Sequence, residues 1–138
     1  MTAEEAAFFA GREDAWKLWL TLRERLAREL APFEIRVAKT QLSLVSGCLF
    51  ACVSFPRAKQ GGVLLLSFGL PFRVDSPRVW QAVEPYPNRW THHVPLSEAR
   101  ELDEELTGWL AAAQDFAMSK RGPKREKGKQ TARPSAKG

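Results

Sequence analysis

Glu34-Ile35-Arg36-Val37-Ala38-Lys39-Thr40-Gln41-Leu42-Ser43-Leu44 is the stretch on which the fold turns. Polar and apolar residues alternate over Glu34 to Lys39 and again over Gln41 to Leu44. That period of two sets one side of an extended chain against a core and the other toward water. Gly47 then marks a turn. Beyond it, Cys48 to Phe55 and Val63 to Phe68 are apolar at nearly every position, the pattern of central strands covered on both faces. Between those runs, Pro56-Arg57-Ala58-Lys59-Gln60-Gly61-Gly62 carries the Pro and Gly of a hairpin loop. Val79 to Val83 and Trp90 to Val94 predict two further strands around a Pro85-Tyr86-Pro87-Asn88 turn. Consecutive strands with short connections pair mostly antiparallel.

On either side of this block the period changes to that of a helix. Thr2 with Glu5 has the form of a capping box, and an Ala-rich helix follows it as far as Gly11. From Asp14 to Leu30 the apolar residues Ala15, Leu18, Trp19, Leu22, Leu26 and Leu30 recur at steps of three or four, and Pro32 ends the helix. A last helix is predicted from Ser97 as N-cap, with Glu98, Glu101 and Glu104 near its positively polarised start and Leu102, Leu106, Trp109, Leu110 and Ala113 on its core face. Helices, a run of strands, then a helix make an α+β fold. The expected architecture is an antiparallel sheet of about five to six strands with the N-terminal and C-terminal helices packed on one face.

The chain has 138 residues, 44% hydrophobic and 27% charged, enough for one packed core. Its net charge of +5 is unevenly placed. Residues 1–118 hold thirteen basic and fifteen acidic side chains, whereas residues 119–138 hold eight basic ones and Glu126. In that last segment the only apolar residues are Ala132 and Ala136, and five of twenty positions are Gly or Pro. Burial there cannot offset chain entropy, so the expected organisation is a single α+β domain over 1–118 and a disordered basic tail over 119–138. The acidic start predicts no secretory leader, and Val63 to Leu70 falls short of the roughly 20 residues of a membrane span. A cytoplasmic protein with no membrane partner is expected.

The basic segment carries the strongest functional signal. Lys120, Arg121, Lys124, Arg125, Lys127, Lys129, Arg133 and Lys137 are interleaved with Gly, Pro and Ser as in arms that neutralise phosphates, which predicts sequence-independent, salt-sensitive contact with nucleic acid. A merely solubilising terminus is the alternative. His92 and His93 are the only histidines. Neighbours on a strand point to opposite faces, so the two rings cannot share a metal. Trp90, His92, Val94 and Leu96 share one parity that reads as inward, which favours a buried, hydrogen-bonded His92 with His93 on the other face, although alternation alone does not fix which of the two meets the core. Cys48 and Cys52 lie four apart, on one face of a regular strand but about 13 Å apart, too far for a disulfide.

The loop cations Lys39, Arg57, Lys59, Arg73, Arg78 and Arg89 either gather on an anionic ligand or are scattered and solvated. Glu98, Glu101, Glu104, Glu105 and Asp115 read as the outer face of an amphipathic helix more readily than as metal ligands. The five tryptophans read as core packing rather than base stacking. No phosphate-binding glycine motif is present, and neither a cofactor nor a catalytic residue is indicated.

Asp75-Ser76-Pro77-Arg78-Val79, Asn88-Arg89-Trp90-Thr91-His92-His93-Val94-Pro95-Leu96 and Glu101-Leu102-Asp103-Glu104-Glu105-Leu106-Thr107-Gly108-Trp109-Leu110 carry a resemblance. With Val37-Ala38-Lys39-Thr40, Phe50-Ala51-Cys52-Val53 and Leu64-Leu65-Leu66-Ser67-Phe68-Gly69-Leu70, they resemble the bacterial domain of unknown function 5655 over roughly residues 8–117. The resemblance implies a small α+β shape of the YdhG-like kind and assigns importance to Lys39 and the His92-His93 strand. Some distant relatives of that kind are linked to iron delivery, but no reaction is implied. Three readings result. The first is a non-enzymatic binding or accessory domain with a nucleic-acid-contacting arm. The second is a small-ligand-binding or catalytic domain with a pocket near Lys39, Arg73, His92 and His93. The third is a frataxin-like iron-handling protein using Glu101, Glu104 and Glu105.

Overall fold

The computed structural model describes residues 3–119. Two helices, α1 (Ala3–Phe8) and α2 (Glu13–Glu29), precede six strands. The strands are β1 (Glu34–Val37), β2 (Leu42–Ser46), β3 (Cys48–Ser54), β4 (Leu64–Leu70), β5 (Gln81–Tyr86) and β6 (Arg89–Leu96), and α3 (Glu104–Ser119) closes the domain. The fold is α+β, as the change of period predicts. The strands form one antiparallel sheet in the order β1-β2-β3-β4-β6-β5.

Each hairpin has its local cause. Ala38 N–H donates to Gln41 O across the β1–β2 turn, and Gly47 takes φ +78° between β2 and β3. Asn88 takes φ +63° between β5 and β6, a left-handed geometry that asparagine tolerates. That turn sits at Pro87-Asn88, so the two strands run Gln81–Tyr86 and Arg89–Leu96 rather than Val79–Val83 and Trp90–Val94. β5 is an edge strand, where Pro85 has no ladder partner to deny.

All seven residues of β4 are buried. Leu64, Leu66, Phe68 and Leu70 meet the helix side. There they join Leu42, Leu44, Ala51, Val53, Val94 and Leu96 from the sheet, and Leu22, Leu26, Leu106, Leu110 and Ala113 from α2 and α3. Gln114 is the polar member of this interface. Its Nε2 donates to Ala31 O at 2.7 Å and to Ser46 Oγ at 2.8 Å, and its Oε1 accepts the Ala31 N–H. One amide thus satisfies the exit of α2 and ties it to the β2–β3 hairpin.

The one connection that is not a hairpin is residues 71–80. It leaves β4, passes over β6 on the helix side and delivers β5 to the far edge. Arg78 anchors it: the guanidinium meets Asp103 at 2.9 Å and Glu105 at 3.1 Å, donates to Glu101 O and lies 5.6 Å from the centre of the Trp109 ring. This region also changes the expected helix start. Glu101 Oε1 accepts the N–H groups of Ser97 and Glu98, closing a short 3-10 turn at Ala99–Glu101. α3 begins only at Glu104, with Asp103 accepting the Leu106 N–H at 3.0 Å as its cap.

A second difference lies in β3. Leu44 faces Ala51 but Val45 faces Leu49, so Phe50 is an extra residue in the ladder, a β-bulge. Phe50 is buried and meets Phe33 edge-on at 6.0 Å. The bulge reverses the parity of everything before it. Cys48 pairs with Ser46, which receives Gln114, and packs on the helix side, whereas Cys52 pairs with Ser67 on the other. The two cysteines therefore lie on opposite faces, not on the common face that regular alternation predicts.

At the N-terminal end Glu5 is 1% exposed. Its carboxylate accepts from Trp19 Nε1 at 3.0 Å and from Arg23 Nε at 2.8 Å, which holds α1 on α2. The expected capping partner Thr2 lies outside the described residues. Removing this acceptor leaves a buried indole N–H and a half-buried guanidinium unmatched. Glu5→Ala is expected to cost about 2–4 kcal/mol and Glu5→Gln, which keeps an acceptor for Trp19, clearly less. The urea midpoints of the two variants against the parent check the order.

Candidate functional site on the open sheet face

The four residues singled out from sequence do not meet. Lys39 is exposed at the tip of the β1–β2 hairpin. Leu42 beside that hairpin is level with Val53 and Leu66, whereas Arg73 follows Leu70 at the opposite end of β4. Lys39 also belongs to a hairpin three strand spacings from β6, about 14 Å sideways. A pocket shared by Lys39, Arg73 and a histidine is not formed. The six loop cations are likewise dispersed: Arg78 is tied to Asp103 and Glu105, Arg73 leans toward Trp90 at 5.9 Å, and Arg89 lies across the sheet. Glu101 is turned back as a cap and Glu105 neutralises Arg78. Among the described residues no group of three His, Cys, Asp or Glu side chains is placed to hold a metal ion.

The two histidines divide as strand parity predicts. His92 is 0% exposed, with its ring stacked on Phe68 at 5.1 Å, and Phe68 in turn stacks on Trp109 at 5.9 Å. Val74 N–H from the crossing connection donates to His92 Nε2 at 2.8 Å. Nε2 therefore carries the lone pair and the neutral ring carries its hydrogen on Nδ1. That atom is buried and has no hydrogen-bond partner among the described residues. Burial above all holds the His92 pKa below the ordinary histidine value, with His93 and Arg73 pushing the same way. His92 is a structural pin: it receives the one connection that must cross the sheet.

His93 faces the open side. Strand register lines up Arg36, Ser43, Cys52, Ser67, His93 and Gln81 as one row crossing all six strands. Ser67 Oγ lies 2.8 Å from His93 Nδ1, and Cys52 stands opposite Ser67 in the β3–β4 register. The centre of the row thus sets a thiol beside a hydrogen-bonded hydroxyl and imidazole. Burial raises the Cys52 pKa, opposed by the Ser67 contact, and burial lowers that of His93. At neutral pH both are uncharged.

Beside this group is a hollow of about 90 Å³ lined by Leu49, Cys52, Ser67, Gly69, Arg89 and Thr91. The Arg89 guanidinium lies so close over Gly69 that a methyl group there would stand 3.2 Å from Nη2. Glycine at this position lets the cation reach the middle of the sheet. Ligand cavities usually exceed about 300 Å³, so this hollow suits a group of a few atoms or one end of a larger molecule. Sequence reasoning missed the constellation because its members come from three strands. One signal was legible, Ser67 interrupting an otherwise apolar strand.

A family model described as a domain of unknown function, DUF5655, matches residues 5–117, well over half of the chain, and the chain belongs to that family. No curated protein and no solved structure matches it. The matched span takes in α2, the whole sheet and nearly all of α3, and stops short of the basic segment.

A pH dependence follows from the two imidazoles. In the unfolded chain each takes up a proton below about 6.5, while in the folded protein both resist protonation to lower pH. Stability is therefore full above 6.5 and is lost as pH falls from there through the lowered folded values. The urea midpoint is expected to be level between about pH 7 and 8 and to fall toward about pH 5.5. Replacing both histidines by Gln should flatten that slope, even though His92→Gln lowers the midpoint overall.

Proposed function

We propose that this DUF5655 domain is a non-enzymatic binding or accessory module whose basic segment, residues 119–138, contacts nucleic acid through its phosphates without reading sequence. The observation that carries this reading is the segregation of charge. Eight Lys and Arg with a single Glu follow directly on α3, while residues 1–118 are slightly acidic. Lys120, Arg121, Lys124, Arg125, Lys127, Lys129, Arg133 and Lys137 lie outside the described residues, so their role rests on chemistry alone. Closely spaced cations release condensed counterions from a phosphate backbone, a drive that depends on the number of ion pairs and not on the base sequence. The acidic domain adds little to it and sets where the segment is held.

The compartment belongs to the same reading. Among the described residues no helix is long and apolar enough to cross a membrane, and both cysteines are free thiols. Thiols on opposite faces of a sheet that cannot pair with each other suit a reducing interior, so the cytoplasm is the proposed location.

Binding of a fluorescent duplex by the full chain, by a chain ending at Ser119, and by a full-length variant with Lys120, Arg121, Lys124 and Arg125 all changed to Gln tests the proposal. The full chain is expected to bind with log K falling linearly with log salt, by about 0.9 per phosphate neutralised, and equally for unrelated sequences. The shortened chain should not bind, and the fourfold variant should show a slope smaller by up to about four such units. Binding that survives removal of the segment, or is insensitive to salt, overturns the reading.

A further inference from the structure

The two edges of the sheet differ. β5 carries Pro85, which has no N–H to offer, whereas β1 has no proline and, among the described residues, no strand beyond it. Ala38 N–H donates inward to Gln41 O. By alternation Glu34 and Arg36 also bond toward β2, so the backbone N–H and C=O groups of Phe33, Ile35 and Val37 point outward. On the open face Glu34 and Arg36 are exposed, with Arg36 Nη2 3.1 Å from Glu34 Oε1. On the helix side Phe33 and Ile35 border an open hollow of about 330 Å³ that Ala27, Leu30 and Pro32 also line. Edges that resist pairing are blunted by Lys, Pro or a bulge, but β1 carries one charge of each sign two residues apart.

We infer that β1 is a self-pairing edge, at which a second copy of this chain adds its own β1 antiparallel and continues the sheet across a two-fold axis. Charge fixes the register. An axis normal to the sheet keeps the helix sides of the two copies level, and it can stand at Glu34, Ile35, Arg36 or Val37. At Glu34 or at Arg36 it sets like charges directly opposite each other, which is destabilising. At Val37 it sets Ile35 against Lys39 of the second copy. At Ile35 every pairing is complementary: Glu34 faces Arg36 of the second copy, Arg36 faces its Glu34, Ile35 faces Ile35, and Phe33 faces Val37. The backbone agrees with this register. The outward groups of Phe33, Ile35 and Val37 form the hydrogen-bonded pairs, so Glu34 and Arg36 fall on the intervening pairs, where side chains approach most closely. The apolar residues of both strands then meet on the helix side, beside the hollow under α2. A strand of four residues makes a small interface, of the class under about 1,200 Å² that forms reversible complexes, so the dimer exchanges with monomer.

Sedimentation equilibrium of the native full chain, freed of nucleic acid and followed from about 5 to about 500 µM, tests the pairing. The parent is expected to pass from monomer to dimer within that range. Glu34→Lys sets cations opposite Arg36 and Arg36→Glu sets carboxylates opposite Glu34, so each change alone should weaken self-association at least about tenfold. The double variant Glu34→Lys with Arg36→Glu exchanges the two charges and should self-associate as the parent does. Mixed in equal amounts, the two single variants should associate with each other, because the cations of one face the carboxylates of the other at both pairs. That recovery also shows that each single variant is folded. A parent that stays monomeric throughout the range overturns the inference. So does a dimer that neither single change weakens, or that the exchange of charges fails to restore.

Discussion

The register of β4 against β6 decides what each face of this protein can do. Along that ladder Leu66 meets Val94, Ser67 meets His93 and Phe68 meets His92. Because side chains alternate with a period of two, a slip of β4 by one residue would turn Leu64, Leu66 and Phe68 to the outside and force Ser67 beneath the helices, away from His93. Fully burying each large apolar side chain contributes about 1.5–3 kcal/mol, so the slipped pairing is excluded by far more than any polar contact could offset. The aliphatic side of β4 thus determines, through geometry alone, that a hydroxyl and an imidazole meet on the open side.

The same ladder explains the crossing connection. β5 follows β4 in the chain but lies beyond β6, so ten residues must traverse the helix side of the sheet. Their backbone needs partners there. His92 accepts the Val74 N–H, His93 O accepts the Trp80 N–H, and Arg78 fastens the far end to Asp103, Glu105 and Glu101 O. Asp103 serves twice, as a partner of Arg78 and as the cap of α3, and its pKa is lowered first by Arg78 and then by the Leu106 N–H. The connection and the start of the last helix are thereby one structural unit. His92 belongs to that unit and His93 to the open face, so two adjacent histidines have unrelated tasks.

Most of the architecture was legible because it rests on periodicity. The switch from steps of three and four in Ala15 to Leu26 to alternation at Glu34 marked the helix-to-sheet boundary, and the parity of Trp90, His92, Val94 and Leu96 placed His92 inside. What was illegible depended on contacts remote in sequence. Phe50 became a bulge because Phe33 and the core accept its ring, and the parity of Cys48 followed from that. Ser97 reads as the cap in the sequence, but Glu101 folds back on the Ser97 and Glu98 amides and delays the helix to Glu104. The site was the least legible part. Cys52, Ser67, His93 and Arg89 acquire meaning only when β3, β4 and β6 are laid side by side, whereas Lys39 and Arg73, prominent in the linear chain, are carried to opposite ends of the sheet.

The division of the two imidazoles is the claim on which fold and site both rest, and nitrogen-resolved NMR of the side chains observes it directly. One ring should be the tautomer with its hydrogen on Nδ1, coupled through a hydrogen bond to the Val74 amide and resistant to protonation well below the ordinary histidine value of 6.5. The other should be in contact with solvent at Nε2 and shift when Ser67 is replaced by Ala. Two rings that both titrate near 6.5, with no coupling to Val74, would contradict the register and everything built on it.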